Sequence, residues 1–131
     1  MAAAAGLAKS ERLTFREDIQ DLFSGENQKV GKFPLLVLYK ITDQTVFDSH
    51  KVMFSVSKRK FGKAVDRNRL KRLMREAYRT CERRSDLRLA SDKQIHLAFI
   101  YTGKGSESYI DINKAIKKIH DVLIERIAES N

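Results

Sequence analysis

The chain is poor in the residues that staple, kink or chelate. Its 131 residues include one cysteine (Cys81), one proline (Pro34) and three histidines. A lone thiol excludes an intrachain disulfide framework and suits a reducing compartment, so a cytoplasmic location is expected. His50, His96 and His120 lie far apart with no metal-ligand spacing such as H-x-x-x-H. Neither a metal site nor a catalytic residue is therefore expected on the protein. No apolar run approaches the roughly 20 residues of a spanning helix, and no membrane partner is expected. Nothing resembles a phosphate-cradling glycine-rich loop with its lysine and hydroxyl. Zinc-ligand patterns, a basic leucine zipper and a convincing helix-turn-helix pair are missing too, which argues against reading of duplex DNA.

Acids are scarce in one place above all. Lys58 to Arg84, KRKFGKAVDRNRLKRLMREAYRTCERR, holds 12 of the 26 Lys and Arg residues and only Asp66, Glu76 and Glu82. Its net charge of +9 equals that of the whole chain, and the remaining residues balance, 14 basic against 14 acidic. Excess charge gathered in one fifth of the length aims a field at a polyanion.

Length and composition fit one domain, 10–131, preceded by an alanine-rich segment, 1–9, expected to be disordered. Thr14-x-x-Glu17 has the form of a capping box, after which Phe15, Ile19, Leu22 and Phe23 recur at helical spacing and Gly25 stops the helix. Gly25, Asn27 and Gly31 read as a loop. Phe33 to Ile41 reads as a buried strand with Pro34 at its start or on an edge. Thr42 to Ser49 turns the chain. Val52 to Ser57 form the next strand, with Val52, Phe54 and Val56 on one face. A loop, Lys58 to Val65, leads to a helix capped by Asp66. That helix puts Leu70, Leu73, Met74, Ala77 and Cys81 on one stripe and Asn68, Arg72, Arg75 and Arg79 opposite. After a polar connection, Arg83 to Lys93, a third strand spans Gln94 to Tyr101. Asp111 to Ala128 closes as an amphipathic helix with Ile112, Ala115, Ile116, Ile119, Leu123 and Ile127 inward. The order is that of an α+β fold with helices packed on one sheet, and the middle helix is long enough for a parallel crossover.

A charge run on a helix is usually a solvated face. Here the acids that would pair with it are nearly absent, arginine is used beside lysine, and Lys58, Arg59, Lys60 and Lys63 extend the array into the preceding loop. Nucleic acid is the expected partner, with acidic proteins and lipid headgroups the lesser readings. A membrane helix is disfavoured because Leu70, Met74 and Ala77 are needed for the core. Phe15, Phe23, Phe33, Tyr39 and Phe54 are candidates for stacking on unpaired bases, which favours RNA. Ordinary core is the simpler reading for each Phe, while Tyr39 is the better candidate because its hydroxyl needs a partner. Cys81 reads as a buried structural thiol. Asp18 and Asp21 are the acids that would touch a hydrated Mg2+ brought by RNA, a question left open by the sequence.

Ser55 to Arg79, SVSKRKFGKAVDRNRLKRLMREAYR, resembles the signature of the protein subunit of bacterial ribonuclease P. The matching features are the Ser-Val-Ser-Lys strand end, Lys-Ala-Val, Arg-Asn-Arg at 67–69 and Lys-Arg at 71–72. Arg12-Leu13 and Asp18 to Phe23 resemble the family's opening helix, and Val37-Leu38-Tyr39 its first core strand. The family's usual glycine position is held by Glu26, with Gly25 one residue earlier.

The resemblance implies a four-stranded sheet with helices on one face and a left-handed crossover, a fold shared with one domain of a small-subunit ribosomal protein. It implies a role as accessory subunit of an endoribonuclease that removes the 5′ leader of precursor tRNA. The active site and its Mg2+ would lie on the RNA, and no obligate protein partner is implied. Arg67, Asn68, Arg69, Lys71 and Arg72 would contact the catalytic RNA, supported by Lys58, Arg59, Lys60, Lys63, Arg75 and Arg79. Ile19, Phe23 and Tyr39 match leader-cleft positions, Ile19 standing where aromatics are common. A generic RNA-binding or ribosomal-type module and a protein-only nuclease are the alternatives.

Overall fold

The computed structural model describes residues 9–25, 27–43, 50–90, 92–105 and 109–130. Residues 1–8 of the expected disordered segment, and most of the expected turn after Thr42, lie outside them. In chain order the elements are α1 (Arg16–Ser24), β1 (Gln28–Lys32), β2 (Leu35–Asp43), β3 (His50–Ser55), α2 (Ala64–Arg79), β4 (Lys93–Tyr101) and α3 (Tyr109–Ser130). Short 3-10 turns sit at Lys9–Glu11 and Glu82–Asp86. The four-stranded sheet runs β1-β2-β4-β3. β2 pairs antiparallel with β1 and β4, and β3 pairs parallel with β4. A parallel pair joined in sequence needs a crossover, which α2 supplies.

The helices do not share one face. α2 and α3 cover the face built by Leu35, Val37 and Tyr39 of β2, Val52 of β3, and Ile95, Leu97 and Phe99 of β4. α1 lies on the other face, where Leu22 packs with Leu13, Leu38 and Ala98. The expected single-face arrangement thus holds for α2 and α3 and is corrected for α1. The physical reason is the sheet's own pattern. β4 carries apolar residues on both faces and is buried from Gln94 to Phe99, so both of its faces need a cover.

The large stripes come out as the sequence predicts them. Ile112, Ala115, Ile116, Ile119, Leu123 and Ile127 of α3 are all buried, as are Leu70, Met74 and Ala77 of α2. Tyr78, which the stripe reading passed over, is buried as well. Three local features differ. The stretch read as a loop through Gly31 contains β1, an edge strand whose only buried residue is Val30. No side-chain hydrogen bond caps α1 or α2; Phe15 and Lys63 hold the N-cap positions in place of Thr14 and Asp66. Asp66 falls inside the first turn of α2, where its charge still favours the positive helix end. Gly25 does end α1: its N–H donates to the Asp21 carbonyl at 2.9 Å, and a Cβ there would come within 2.7 Å of that oxygen.

The segment before α1 guards the free edge of β3. Leu13 N–H donates to the Val52 carbonyl at 2.9 Å, and Arg12 bridges Val52 in parallel sense. Such a cover blunts an edge that would otherwise pair with another chain.

Candidate nucleic-acid interface

β3 ends at Ser55, and the chain then turns through Lys58–Lys60 into α2, so one continuous stretch carries the basic segment from sheet edge to helix. Lys58, Arg59, Lys60 and Lys63 of the loop, and Asn68, Arg69 and Arg72 of α2, are exposed. Arg67, Lys71, Arg75 and Arg79 are half-buried. Burying Leu70, Met74, Ala77 and Tyr78 against the sheet and α3 is what turns these cations outward.

Among the described residues, Lys58, Arg59, Lys60, Lys63, Lys71 and Arg72 have no acid within salt-bridge distance. Some cations are matched. Lys40 pairs with Asp21, Lys93 with Asp43, Arg83 with Asp86 and Asp121, and Arg84 with Glu11 at 2.6 Å. The unmatched cations of the basic segment thus gather on one loop and the outer side of the helix that follows it.

Arg67, Arg75 and Arg79, all expected to contact RNA, are engaged by the protein. Arg79 pairs with Glu76 one turn back, and its hydrogen bond holds the Glu76 carboxyl below the usual range. Glu76 is one of the three acids that the sequence leaves in the basic segment. Arg75 lies over the Phe54 ring, 6.0 Å from its centroid. Arg67 turns back toward the loop and donates to two of its carbonyls.

The aromatics divide by face. Phe15 is 71% exposed and Phe23 42% exposed, and with Ile19 they follow one another at four-residue spacing along α1. Beside α1, Leu36, Met53 and Ile100 form a half-buried apolar strip on the same sheet face. Tyr39 does not join them. The alternation of β2 puts it with Leu35 and Val37 on the α3 side, where it is 3% exposed. Its hydroxyl donates to Gln28 Oε1 at 3.1 Å and accepts from Arg126 Nη1 at 3.4 Å, so the partner it needs comes from the protein. The structure thus sets Tyr39 on the opposite sheet face from Ile19, with which the expected leader cleft had grouped it. Phe54, half-buried between Phe99 and Arg75, is likewise a core ring. Leu36, Met53 and Ile100 went unnoticed because strands with apolar residues on both faces do not announce which face stays open.

The histidines are structural. His96 is buried beside Gln94, with 2.8 Å between Nε2 and Oε1. His50 Nε2 donates to the Leu87 carbonyl at 2.9 Å. His120 is fully buried, and its Nδ1–H donates to the Ile116 carbonyl at 2.8 Å. Burial lowers the pKa of all three, that of His120 to about 4. His120 stands 3.8 Å from the Cys81 thiol, which is half-buried and pushed up by desolvation. Among the described residues no group of three or more His, Cys, Asp or Glu is placed to hold a metal, and no helix is long and apolar enough to cross a membrane.

His120 makes stability pH-dependent with a definite sign. Between pH 6.5 and about 4 the unfolded chain binds a proton that the folded chain refuses, so stability falls as pH drops through that window. The drop in pKa from 6.5 to about 4 corresponds to roughly 3 kcal/mol. Urea unfolding of His120→Leu at pH 7 and pH 5 should show a shallower acid loss than the parent chain. Equal slopes would place the titration elsewhere.

A family model described as Ribonuclease P matches residues 7–122. The ribonuclease P protein component of Porphyromonas gingivalis is 44% identical over 77 residues, covering 59% of this chain and 56% of that protein. Its counterpart from Chlorobaculum tepidum is 36% identical over 106 residues, covering 75% of this chain and 68% of the relative. The chain thus spans little more than half the length of the Porphyromonas relatives it matches. Among solved structures, the RNase P protein of Staphylococcus aureus superposes with a TM-score of 0.65 at 20% identity, over 87% of this chain and 95% of that one. The RNase P protein of Thermotoga maritima, solved with 1-(4-fluorophenyl)-2-thiourea, gives a TM-score of 0.62 at 25% identity, over 82% and 95%. The shared fold, the signature in the basic segment and a family match across most of the length lead to one assignment: this chain belongs to the ribonuclease P protein family.

Proposed function

We propose that the chain is the protein cofactor of ribonuclease P, binding the catalytic RNA and the 5′ leader of precursor tRNA to assist Mg2+-dependent removal of the leader. One observation carries the reading most: six cations of one loop and helix face have no acid partner among the described residues, in the segment that holds the chain's whole formal net charge of +9. A fold that leaves like charges within a turn of each other gives up stability. A polyphosphate that releases its counterions on binding offsets that loss.

In this reading Lys58, Arg59, Lys60, Lys63, Asn68, Arg69, Lys71 and Arg72 meet the catalytic RNA. Phe15, Ile19 and Phe23, with Leu36, Met53 and Ile100, form the seat for unpaired leader bases, since aromatic and apolar faces stack without regard to sequence. The protein supplies no acid, base or nucleophile. Its part is to lower the repulsion where leader and catalytic RNA converge, which strengthens substrate binding and lets the RNA retain its Mg2+ more readily.

Reconstitution tests this directly. Purified protein added to a bacterial ribonuclease P RNA and precursor tRNA at low Mg2+ should raise leader cleavage about tenfold or more, within the 5–150-fold range of ordinary coupling energies. No gain would leave a generic RNA-binding module. Cleavage by the protein free of RNA would mean a protein-only nuclease.

A further inference from the structure

The loop between β3 and α2 is fixed by the protein at three points. At its start, Ser57 Oγ accepts from the backbone N–H groups of Arg59 at 3.2 Å and Lys60 at 3.4 Å, and the Ser57 carbonyl accepts from Phe61 N–H at 3.0 Å. In its middle, the Phe61 ring packs edge-on against Tyr101, with centroids 5.6 Å apart. At its end, Arg67 Nη1 donates to the carbonyls of Phe61 at 2.8 Å and Gly62 at 2.9 Å. The last tie matters most for the loop's exit. Gly62 has no neighbour within 4 Å of where a Cβ would stand, and Lys63 gives α2 no side-chain cap.

We propose that Arg67 is a positioning residue: its guanidinium ties the Phe61 and Gly62 carbonyls to the first turn of α2 and presents Lys58, Arg59, Lys60 and Lys63 to RNA as one preset array. The inference rests on the RNA-binding reading above and deepens it. Ordering four long cations at the moment of binding costs conformational entropy, and a loop set beforehand avoids that part of the cost. One planar nitrogen bearing two hydrogens bridges two adjacent carbonyls, and a lysine at this position falls a bond short of the same reach. A phosphate that approached Arg67 would find this nitrogen already committed to the loop.

The test uses the full chain, Arg67→Ala, and an in vitro transcribed bacterial ribonuclease P RNA titrated at several KCl concentrations. Amide hydrogen exchange at residues 59–62 should quicken about tenfold while the interior of α2 keeps its protection. RNA affinity should fall, and the log–log salt slope should drop by more than the 0.7–0.9 that one phosphate contact contributes. Added to Lys60→Ala with Lys63→Ala, the Arg67 change should cost little more, because the cations it positions are already gone. Unchanged loop exchange, a slope loss of one contact, or full additivity would overturn the proposal. If Arg67→Ala loosens α2 itself, Arg67→Lys keeps the charge: quicker loop exchange still supports the proposal, and unchanged exchange overturns it. Failure of the parent chain to bind the RNA would remove the RNA-binding reading, while the exchange measurement still decides whether Arg67 orders the loop.

Discussion

Changing Lys58, Lys60, Lys63 and Arg72 together to Gln is expected to weaken binding to ribonuclease P RNA on the order of 10²–10³-fold at moderate salt, with the thermal midpoint unchanged or slightly raised. These four have no acid partner among the described residues, so their removal breaks no ion pair. It takes four charges from a formal net of +9 and relieves repulsion within the loop and along α2. The binding loss comes from counterion release. Each lost phosphate contact should flatten the log–log salt dependence by roughly 0.7–0.9, so the slope should fall by about 3. Gln keeps the helix propensity and polarity of the side chains it replaces, which separates charge from folding. A midpoint that drops by many degrees would show that these cations support the fold. A slope that stays put would show that they face no phosphate.

The contrast with the matched cations sharpens this expectation. Arg84 is held by Glu11 at 2.6 Å and lies 4.5 Å from the Tyr78 ring centroid. Arg83 is shared between Asp86 and Asp121. Both belong to the basic segment by sequence, and neither belongs to its open face. Counting charge along the chain therefore overstates the array at its C-terminal end, where Arg79, Arg83 and Arg84 are all engaged. The cations without an acid partner among the described residues, Lys58, Arg59, Lys60, Lys63, Lys71 and Arg72, all lie before that end. They lie in the part that carries the family resemblance.

What the sequence made legible follows from how strongly each pattern constrains packing. The stripe of α3 and the alternation of Val52, Phe54 and Val56 leave one stable way to bury, and the structure follows them. β1 was hidden because an edge strand with only Val30 buried has almost no apolar signal. The placement of α1 was hidden because β4 has apolar residues on both faces, so its letters do not say which helix covers which side. Tyr39 was misplaced by weighing its hydroxyl above its parity with Leu35 and Val37. Arg67 was legible as a cation but not as a clamp, because a backbone carbonyl leaves no mark on the sequence.

Phe99→Ala should produce the largest loss of stability from a single substitution. The ring is fully buried at the centre of β4, stacked on Phe54 at 5.8 Å and edge-on to Tyr78 at 5.7 Å, with His120 at 6.4 Å. Removing a buried phenyl typically costs about 3–5 kcal/mol, because the transfer energy is lost and the cavity closes only in part. Edge-to-face contacts add about 0.5–1.5 kcal/mol each. Against a total stability of about 5–15 kcal/mol, the midpoint should fall by roughly 10–20 °C. Phe99→Leu, which keeps most of the volume, should lose about 1.5 kcal/mol or less. The same ring also seats Phe54 beneath Arg75, so core and cationic face meet here. RNA binding measured well below the lowered midpoint should nevertheless keep the parent salt slope, since none of the unpaired cations touches Phe99. A midpoint shift under about 5 °C would mean that the neighbouring rings close the gap and that the aromatic cluster is not the keystone of this core.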